Sequence, residues 1–210
     1  MVGGMRQFVA PPGRWLFSLG LAVAIGAFYW HAWWIVAAAL ALGTLGAWVF
    51  RDPNREVPPE PLGVVAPVDG RVTNIVSEQN AHLETNVTRM VMHRRILGAY
   101  TLRSPVEGQL VDVWSQKGDR TGPDCTDAVA LRMRTDEGDD CLLVIHRGFA
   151  NFSGDFPFSV GDRIGQGQRC GHPGVGACIE VVVPTSAKLR VGPRARVHAG
   201  STLLATLSDR

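Results

Sequence analysis

The feature that most constrains the fold of this chain is a run of 36 uncharged residues, 15–50, between Arg14 and Arg51. A single membrane-spanning helix needs about 20 apolar residues, so the run is too long for one helix and just long enough for two short ones. His31 lies near its middle, within an aromatic cluster of the kind that collects at membrane–water interfaces. The cluster comprises Tyr29, Trp30, Trp33 and Trp34. The run therefore predicts an N-terminal transmembrane helical hairpin that turns near His31.

Basic residues at both outer ends of the run predict the orientation of this hairpin. Arg6 and Arg14 precede it, and Arg51 and Arg55 follow it. Because positively charged flanks stay on the cytoplasmic side, the rest of the chain is expected to face the cytoplasm from the inner membrane. One tilted span and a hairpin buried within a globular domain remain alternatives. A cleaved signal peptide is disfavoured, because the run exceeds twice the length of a signal h-region and lacks a small-x-small cleavage site.

Composition changes after residue 50 and divides the chain into three parts. Residues 1–50 form the predicted membrane anchor, and residues 51–63, RDPNREVPPEPLG, carry four prolines and are predicted to be an extended tether. From residue 64 to 210, short β-branched runs such as TRMVMH, AVALRMRT, CLLVIH and CIEVVVP alternate with Gly, Pro and Asp turns. Such spacing is typical of a mainly β domain.

Two segments of the β-rich part, 66–76 and 104–114, share a Pro-Val-acidic-Gly pattern. Gly70 and Gly108 are predicted to adopt positive φ in tight turns between strands. The pattern indicates hairpins like those of a barrel-sandwich module, an architecture that biotinyl and lipoyl carriers also use. Neither lysine of the chain is placed at a hairpin tip, which argues against a carrier.

The cysteines and the charge balance disfavour two further classes of function. The four cysteines form no CxxC pair and no Cys/His pair at zinc spacing, so no metal site is expected. The net charge is +2 and no basic run is longer than the pair Arg94–Arg95, so no nucleic-acid partner is expected. P-loop, dinucleotide-binding, Gly-x-Ser-x-Gly and His-Glu-x-x-His signatures do not occur either.

The order of these parts resembles the short bacterial and archaeal phosphatidylserine decarboxylases over about residues 10–207. The specific pieces are FRDP at 50–53, APVDG at 66–70 and GQRCG at 167–171. The resemblance implies a proenzyme that cuts its own chain at a Gly-Ser bond and converts the serine into a pyruvoyl group. That group would act as the electron sink for decarboxylation.

Three positions depart from the pattern of the family that the chain resembles. In GHPGVGACIEVVVP, Gly176 takes the place of the glycine before the cut and Ala177 that of the serine, so no pyruvoyl cofactor is expected. An alanine methyl has no lone pair with which to attack a carbonyl. Upstream, Gly98 and Tyr100 take the places of the Asp and His expected to activate the serine, although the adjoining Arg103 still matches. The Asn-Glu-Arg element expected next has no match in residues 115–135.

Two residues could supply another nucleophile. Cys178 follows Ala177, but one step along a strand turns the side chain to the other face, and a structural cysteine is the simpler interpretation. Ser201, in HAGST, fits a turn followed by a strand better than a cleavage site. His146, on an apolar strand, is expected to be half-buried, with no carboxylate placed by the sequence to orient it.

The sequence therefore predicts a membrane-anchored, phosphatidylserine-decarboxylase-like protein of phospholipid metabolism that does not process itself and is not catalytic. Its expected partners are membrane phospholipid and either a second copy of itself or an active paralogue, with Arg51, Arg55 and Arg103 as candidate headgroup ligands. One alternative is an active decarboxylase that makes phosphatidylethanolamine through an unrecognised nucleophile. The other is a membrane-tethered β-scaffold that binds a protein.

Overall fold

The computed structural model describes residues 11–80, 85–116, 128–146, 156–174 and 176–208. The chain divides into two compact units. The first contains Met1–Asn54 and Leu97–Tyr100, and the second contains Arg55–Ile96 and Thr101–Arg210.

The first unit is built on a helical hairpin, as the uncharged run predicts. Helix α1 spans Pro11–Tyr29 and α2 spans Trp33–Val49, and the turn between them contains His31 with φ of 56°. Small residues allow the helices to approach closely: a Cβ on Gly20 would lie 2.9 Å from the carbonyl oxygen of Ala39. The predicted hairpin and its turning point are confirmed.

The predicted membrane crossing is not supported. Among the described residues, no helix combines the length and the apolar character that a membrane span requires. Helix α1 has 19 residues and includes Arg14 in its first turn, whereas α2 has only 17 residues. At 1.5 Å per residue, α2 is about 26 Å long, shorter than a hydrocarbon core of about 30 Å. The uncharged run of 36 residues could supply two spans only if the turn between the helices took none of them.

The second unit is made of strands, and their bounds follow chain order. They are β1 Gly63–Val65, β2 Gly70–Asn80, β3 Thr85–Arg94, β4 Leu102–Arg103, β5 Gly108–Gln116, β6 Ala128–Arg134, β7 Asp140–His146, β8 Arg163–Ile164, β9 Arg169–Gly171, β10 Cys178–Pro184, β11 Lys188–Leu189, β12 Arg196–Val197 and β13 Leu203–Thr206. The β-branched runs of the sequence all fall on these strands, which confirms the mainly β class.

Most of these strands belong to one antiparallel sheet with the order β12-β2-β3-β10-β7-β6-β5-β8, which curls into a half-barrel. A three-stranded sheet, β1-β13-β11, and the pair β4-β9 complete the unit. Alternate residues of the central strands point into a core that includes Met90, Leu131, Leu143, Ile179 and Val181. The period-2 pattern of β-branched and aliphatic residues thus gives one buried face, as expected for half-buried strands.

The two Pro-Val-acidic-Gly segments form a structural repeat. Gly70 begins β2 and Gly108 begins β5, and each strand has a bulge two residues later. The bulges are stabilised alike, because the side-chain oxygens of Asn74 and Asp112 each accept a hydrogen bond from the following backbone N–H, at 2.9 and 2.8 Å. The pattern in the sequence therefore reflects two equivalent strand beginnings.

The prediction that Gly70 and Gly108 adopt positive φ is wrong, since neither is among the positive-φ glycines of the described chain. Their role is to allow close backbone approach instead. A Cβ on Gly70 would lie 2.2 Å from the carbonyl oxygen of His93, and one on Gly108 would lie 2.2 Å from that of Arg134. Any side chain at these positions would therefore push the neighbouring strand away.

The Pro-rich segment, predicted as an extended tether over 51–63, makes contacts within the β-rich unit. From Arg55 onward it belongs to the β-rich unit. The side chain of Gln166 donates to the carbonyl oxygen of Glu60 at 3.1 Å, and Val57 occupies the space that a side chain on Gly167 would need. Both contacts are with the turn between β8 and β9.

Candidate functional site

The glycine-rich turn before β10 is held at both ends by Arg94, at the end of β3. The backbone N–H of Arg94 donates to the carbonyl oxygen of Ala177 at 3.2 Å, and its guanidinium Nη1 donates to that of Gly174 at 2.9 Å. Arg94 is buried. Gly176 adopts φ of +72°, a conformation that L side chains rarely adopt, and this turns the chain into the strand. Arg94 therefore holds the carbonyl groups of Gly174 and Ala177, on either side of the exposed Gly176.

Ala177 points into the core, with 1 % of its surface exposed, and belongs to the main hydrophobic cluster. Cys178 is only partly buried and begins β10. Their different burial agrees with the expectation that the two residues lie on opposite faces of the strand. Where the resemblance expects the serine, the chain thus has a methyl group in an apolar setting, and the thiol next to it faces the other way.

Except for FRDP, which belongs to the first unit, the segments quoted for the resemblance lie together in the β-rich unit. The backbone N–H of Arg103 donates to the carbonyl oxygen of Pro67 at 2.9 Å, and that of Ser104 donates to Gln168 at 2.8 Å. The N–H of Gly200 donates to Ala66 at 2.8 Å. APVDG, RSPVEG, GQRCG and HAGST are therefore joined by backbone hydrogen bonds, although more than 100 residues separate the first from the last.

Asp69, the acidic residue of the first repeat, holds two further segments together. Its carboxylate pairs with the guanidinium of Arg55, with 2.8 Å between Nη2 and Oδ2, and accepts the backbone N–H of Ala199 at 2.8 Å. The carboxylate is nearly buried. The sequence predicts a turn-forming role for Asp69. Its contacts in addition connect the Pro-rich segment to the region of strand β12 through an ion pair and a hydrogen bond.

Gly98 and Tyr100 belong to the compact unit of the helical hairpin. Tyr100 is fully buried and its ring meets that of Phe50 edge-on, with 4.9 Å between centroids and an interplanar angle of 75°. Its backbone N–H donates to the carbonyl oxygen of Arg51 at 3.2 Å. In the position where the resemblance expects a histidine base, the chain thus has a packed aromatic ring.

The three arginines predicted as headgroup ligands are in different environments. Arg51 is exposed and lies over the ring of Trp48, 5.1 Å from its centroid. Arg55 is engaged by Asp69, and Arg103 is buried, with its guanidinium 3.4 Å from the carbonyl oxygen of Gly167. Of the three, Arg51 has the surroundings of an interfacial residue, and their lipid binding stays a prediction.

Ser201, the other proposed nucleophile, lies in the turn between β12 and β13. Its backbone N–H donates to the carbonyl oxygen of His198 at 3.2 Å, and the side chain of Thr202 accepts the N–H of His198 at 3.0 Å. The segment is a closed turn followed by a strand, as the sequence predicts. Cys125 and residues 117–127, part of the segment 115–135 in which the Asn-Glu-Arg element was expected, lie outside the described residues.

A polar row on the outer face of the sheet was not predicted. The imidazole Nε2 of His146, on β7, lies 2.9 Å from Oε1 of Glu180, on β10. Arg89, on β3, reaches Glu180 at 3.4 Å and pairs with Glu78 on β2. Burial of Glu180 alone would raise the pKa of its carboxyl, but His146 and Arg89 outweigh burial, so that pKa lies below its ordinary value.

The pairing of His146 with Glu180 contradicts the expectation that no carboxylate orients this histidine. The two residues are 34 positions apart in the chain, and only the register of two strands brings them together. The sequence signal that could have found them is the alternation of CIEVVVP, which puts Cys178 and Glu180 on one face of the strand.

The turn at Gly176 and Ala177 does not fit a pyruvoyl group. Such a group forms from a serine or similar nucleophile, and position 177 offers only a buried methyl. The arrangement defines a class: an antiparallel β-sheet protein in which a left-handed glycine precedes a buried alanine at the start of a central strand.

Comparisons with known proteins identify the family. A family model described as "Phosphatidylserine decarboxylase" matches residues 42–205. Three relatives each named "Phosphatidylserine decarboxylase proenzyme" come from Nitrosomonas eutropha, Symbiobacterium thermophilum and Mycobacterium avium, at 29, 30 and 31 % identity. The alignments cover 91, 97 and 95 % of this chain, and 92, 98 and 86 % of the respective relatives. No solved structure matches. The chain belongs to the phosphatidylserine decarboxylase family, a family of phospholipid metabolism.

Proposed function

We propose that this chain is a membrane-associated member of the phosphatidylserine decarboxylase family that does not cut itself and acts by binding phospholipid. The observation that carries the proposal is Ala177, a buried alanine that follows a left-handed glycine where the resemblance expects the reacting serine. A methyl group can neither attack the preceding carbonyl nor lose an amine to become a carbonyl itself.

The activating positions support the same proposal. Gly98 has no side chain, and Tyr100 is packed edge-on against Phe50 in a fully buried setting. A phenol with an ordinary pKa of about 10 is a poor general base at neutral pH compared with an imidazole near 6.5. The chain therefore lacks the nucleophile and both activating groups that the family resemblance calls for.

The surface of the helical hairpin supports membrane association. Trp30 and Trp34, beside the turn, are 89 and 90 % exposed, and the helices leave several large apolar side chains uncovered, among them Trp15, Leu19 and Leu42. No charged residue interrupts this surface between Arg14 and Arg51. Helices that expose a continuous apolar surface are stabilised by lipid, so the hairpin inserts into the bilayer without having to span it.

Two measurements on the full chain test the two parts of the proposal. Intact-mass spectrometry of detergent-purified protein is expected to give one chain of 22.7 kDa. Two fragments with a cut after Gly176 or beside Cys178 or Ser201 would overturn the loss of processing and support an active decarboxylase instead.

Flotation with phosphatidylcholine vesicles, with and without phosphatidylserine, tests lipid binding. The chain is expected to float with both and to bind the serine-containing vesicles more tightly. Arg51→Ala is expected to weaken that preference, while Arg196→Ala, which removes an exposed arginine of the β-rich unit, is the matched control. A chain that stays at the bottom of the gradient and purifies with a stoichiometric protein would instead support the scaffold function.

A further inference from the structure

The outer face of the main sheet brings a thiol and two imidazoles into one row. In the register of β10, Cys178 lies directly opposite His93 on β3 and directly opposite His146 on β7. Directly opposite residues of antiparallel strands point to the same face, with Cβ atoms about 4.5–5.5 Å apart. The thiol therefore lies between two imidazoles on the face away from the core.

Only one of these imidazoles has a carboxylate partner among the described residues. Nε2 of His146 lies 2.9 Å from Oε1 of Glu180, which is two residues along β10 from Cys178 and on the same face. When Nε2 donates its proton to the carboxylate, Nδ1 is the nitrogen that can accept one. Thiol, imidazole and carboxylate thus follow in the order used to activate a cysteine nucleophile.

We infer that Cys178, His146 and Glu180 form a nucleophilic site on the outer face of the sheet, which takes small soft electrophiles. The thiol proton passes to His146, and Glu180 holds and stabilises the resulting imidazolium. The sulfur then forms a bond to the electrophilic carbon as the leaving group departs with the electrons of its own bond. This site is distinct from the position of the expected serine, because Ala177 points into the core and Cys178 lies on the other face of β10.

The other described cysteines have different surroundings. Cys141 and Cys170 are buried, and burial raises the pKa of the Cys141 thiol to about 12 and that of Cys170 further. Neither is therefore a thiolate at neutral pH. In the described ranges, no group of three or more His, Cys, Asp or Glu side chains is arranged to hold a metal ion.

Charged groups around the thiol decide its pH dependence. From its own strand it shares a face with Glu180, and from the flanking strands with His93 and His146. Arg71 lies opposite His93, and Arg89 pairs with Glu180 and thereby balances its negative charge. An imidazolium beside the thiolate then favours the ionised sulfur.

Alkylation with iodoacetamide tests the site in the full chain, with peptide mass spectrometry to assign the label to each cysteine. The labelling rate of Cys178 is expected to reach half its maximum well below pH 8.5, the ordinary value for a thiol. His146→Gln is expected to slow labelling at pH 7 about tenfold and to move the half-point upward. Glu180→Gln is also expected to raise the pH of half-maximal labelling, but by a smaller amount than His146→Gln.

His93→Gln is the matched control, since it removes the imidazole on the opposite side of the same thiol. This substitution is expected to leave the labelling rate of Cys178 at each pH within about twofold of the rate in the unaltered chain. A half-point near pH 8.5 in the unaltered chain would overturn the site without any variant. So would equal effects of the two histidine substitutions, because the carboxylate would then make no difference.

Discussion

The backbone N–H of Arg94 donates to the carbonyl oxygen of Ala177 at 3.2 Å, while its guanidinium donates to Gly174 on the other side of the same turn. One residue of β3 thus fixes the entry into β10. The two carbonyl groups that Arg94 contacts lie on either side of Gly176, which is exposed, whereas Ala177 is buried in the core.

Replacing Arg94 tests how much this contact contributes to stability. Arg94→Gln is expected to lower the free energy of unfolding by about 2–3 kcal/mol, because a buried hydrogen bond from a charged group is lost and the carbonyl of Gly174 loses a donor. Arg95→Gln, at the exposed neighbouring position, is expected to change it by less than about 0.5 kcal/mol. Urea unfolding of both variants measures these free energies. Equal losses in the two variants would show that the hydrogen bond from Arg94 to Gly174 does not stabilise the fold.

A serine placed at position 177 is by itself expected not to give self-cleavage. Ala177→Ser should keep an intact mass after prolonged incubation, because Gly98 and Tyr100 provide no acid or base to activate the hydroxyl. The buried hydroxyl is also expected to cost about 1–3 kcal/mol of stability. Intact-mass spectrometry over several days measures the first effect. A new pair of fragments would show that the turn is still competent to cleave.

The close approach of the two helices can be tested with two glycines of the same helix. A Cβ on Gly20 would meet the carbonyl oxygen of Ala39, whereas one on Gly26 would meet nothing within 4 Å. Gly20→Ala is therefore expected to destabilise the hairpin, and Gly26→Ala to stabilise it by up to about 1 kcal/mol through helix propensity. Thermal melting followed by circular dichroism in detergent compares them. The same direction for both would contradict the packing.

The sequence predicts local pattern well and cross-strand neighbours poorly. The hairpin turn at His31 and the long strands follow from apolar periodicity, which depends only on nearby residues. The short strands β8, β9 and β11 have two or three residues each and carry no period to detect. The conformations of Gly70 and Gly108 were mistaken because close backbone approach leaves the same glycine signal as a turn.

The same distinction between local pattern and cross-strand contact applies to the candidate site. The alanine at position 177, where the resemblance expects a serine, is readable in the sequence, because the surrounding motif runs without a gap. The burial of Arg103 and the pairing of His146 with Glu180 are not readable, since each depends on strands that meet only in the folded sheet. The wrong expectation for His146 arose because distance along the chain says little about neighbours in an antiparallel sheet.

The contact of Tyr100 with Phe50 should be measurable as a coupling energy. Tyr100→Ala and Phe50→Ala are each expected to cost about 3–5 kcal/mol, because both rings are buried. Together they should cost about 0.5–1.5 kcal/mol less than the sum, which is the energy of the edge-on pair. Thermal melting in detergent of the unaltered chain, the two single variants and the double variant gives this coupling energy. Strict additivity would mean that the rings do not interact.

The acid sensitivity of the fold should depend on Glu180. Burial of this carboxyl opposes ionisation, but His146 and Arg89 hold its pKa below the ordinary value. A depressed folded-state pKa gives stability that is fully present above the unfolded value of about 4.3 and is lost as the pH falls through the folded value. The stability difference between the original chain and Glu180→Gln is therefore expected to be large at pH 7 and to shrink below about pH 4. Urea unfolding at pH 7, 5, 4 and 3 measures it, with the exposed Asp136→Asn as control. A difference that stays constant across this range would mean that the Glu180 charge does not stabilise the fold.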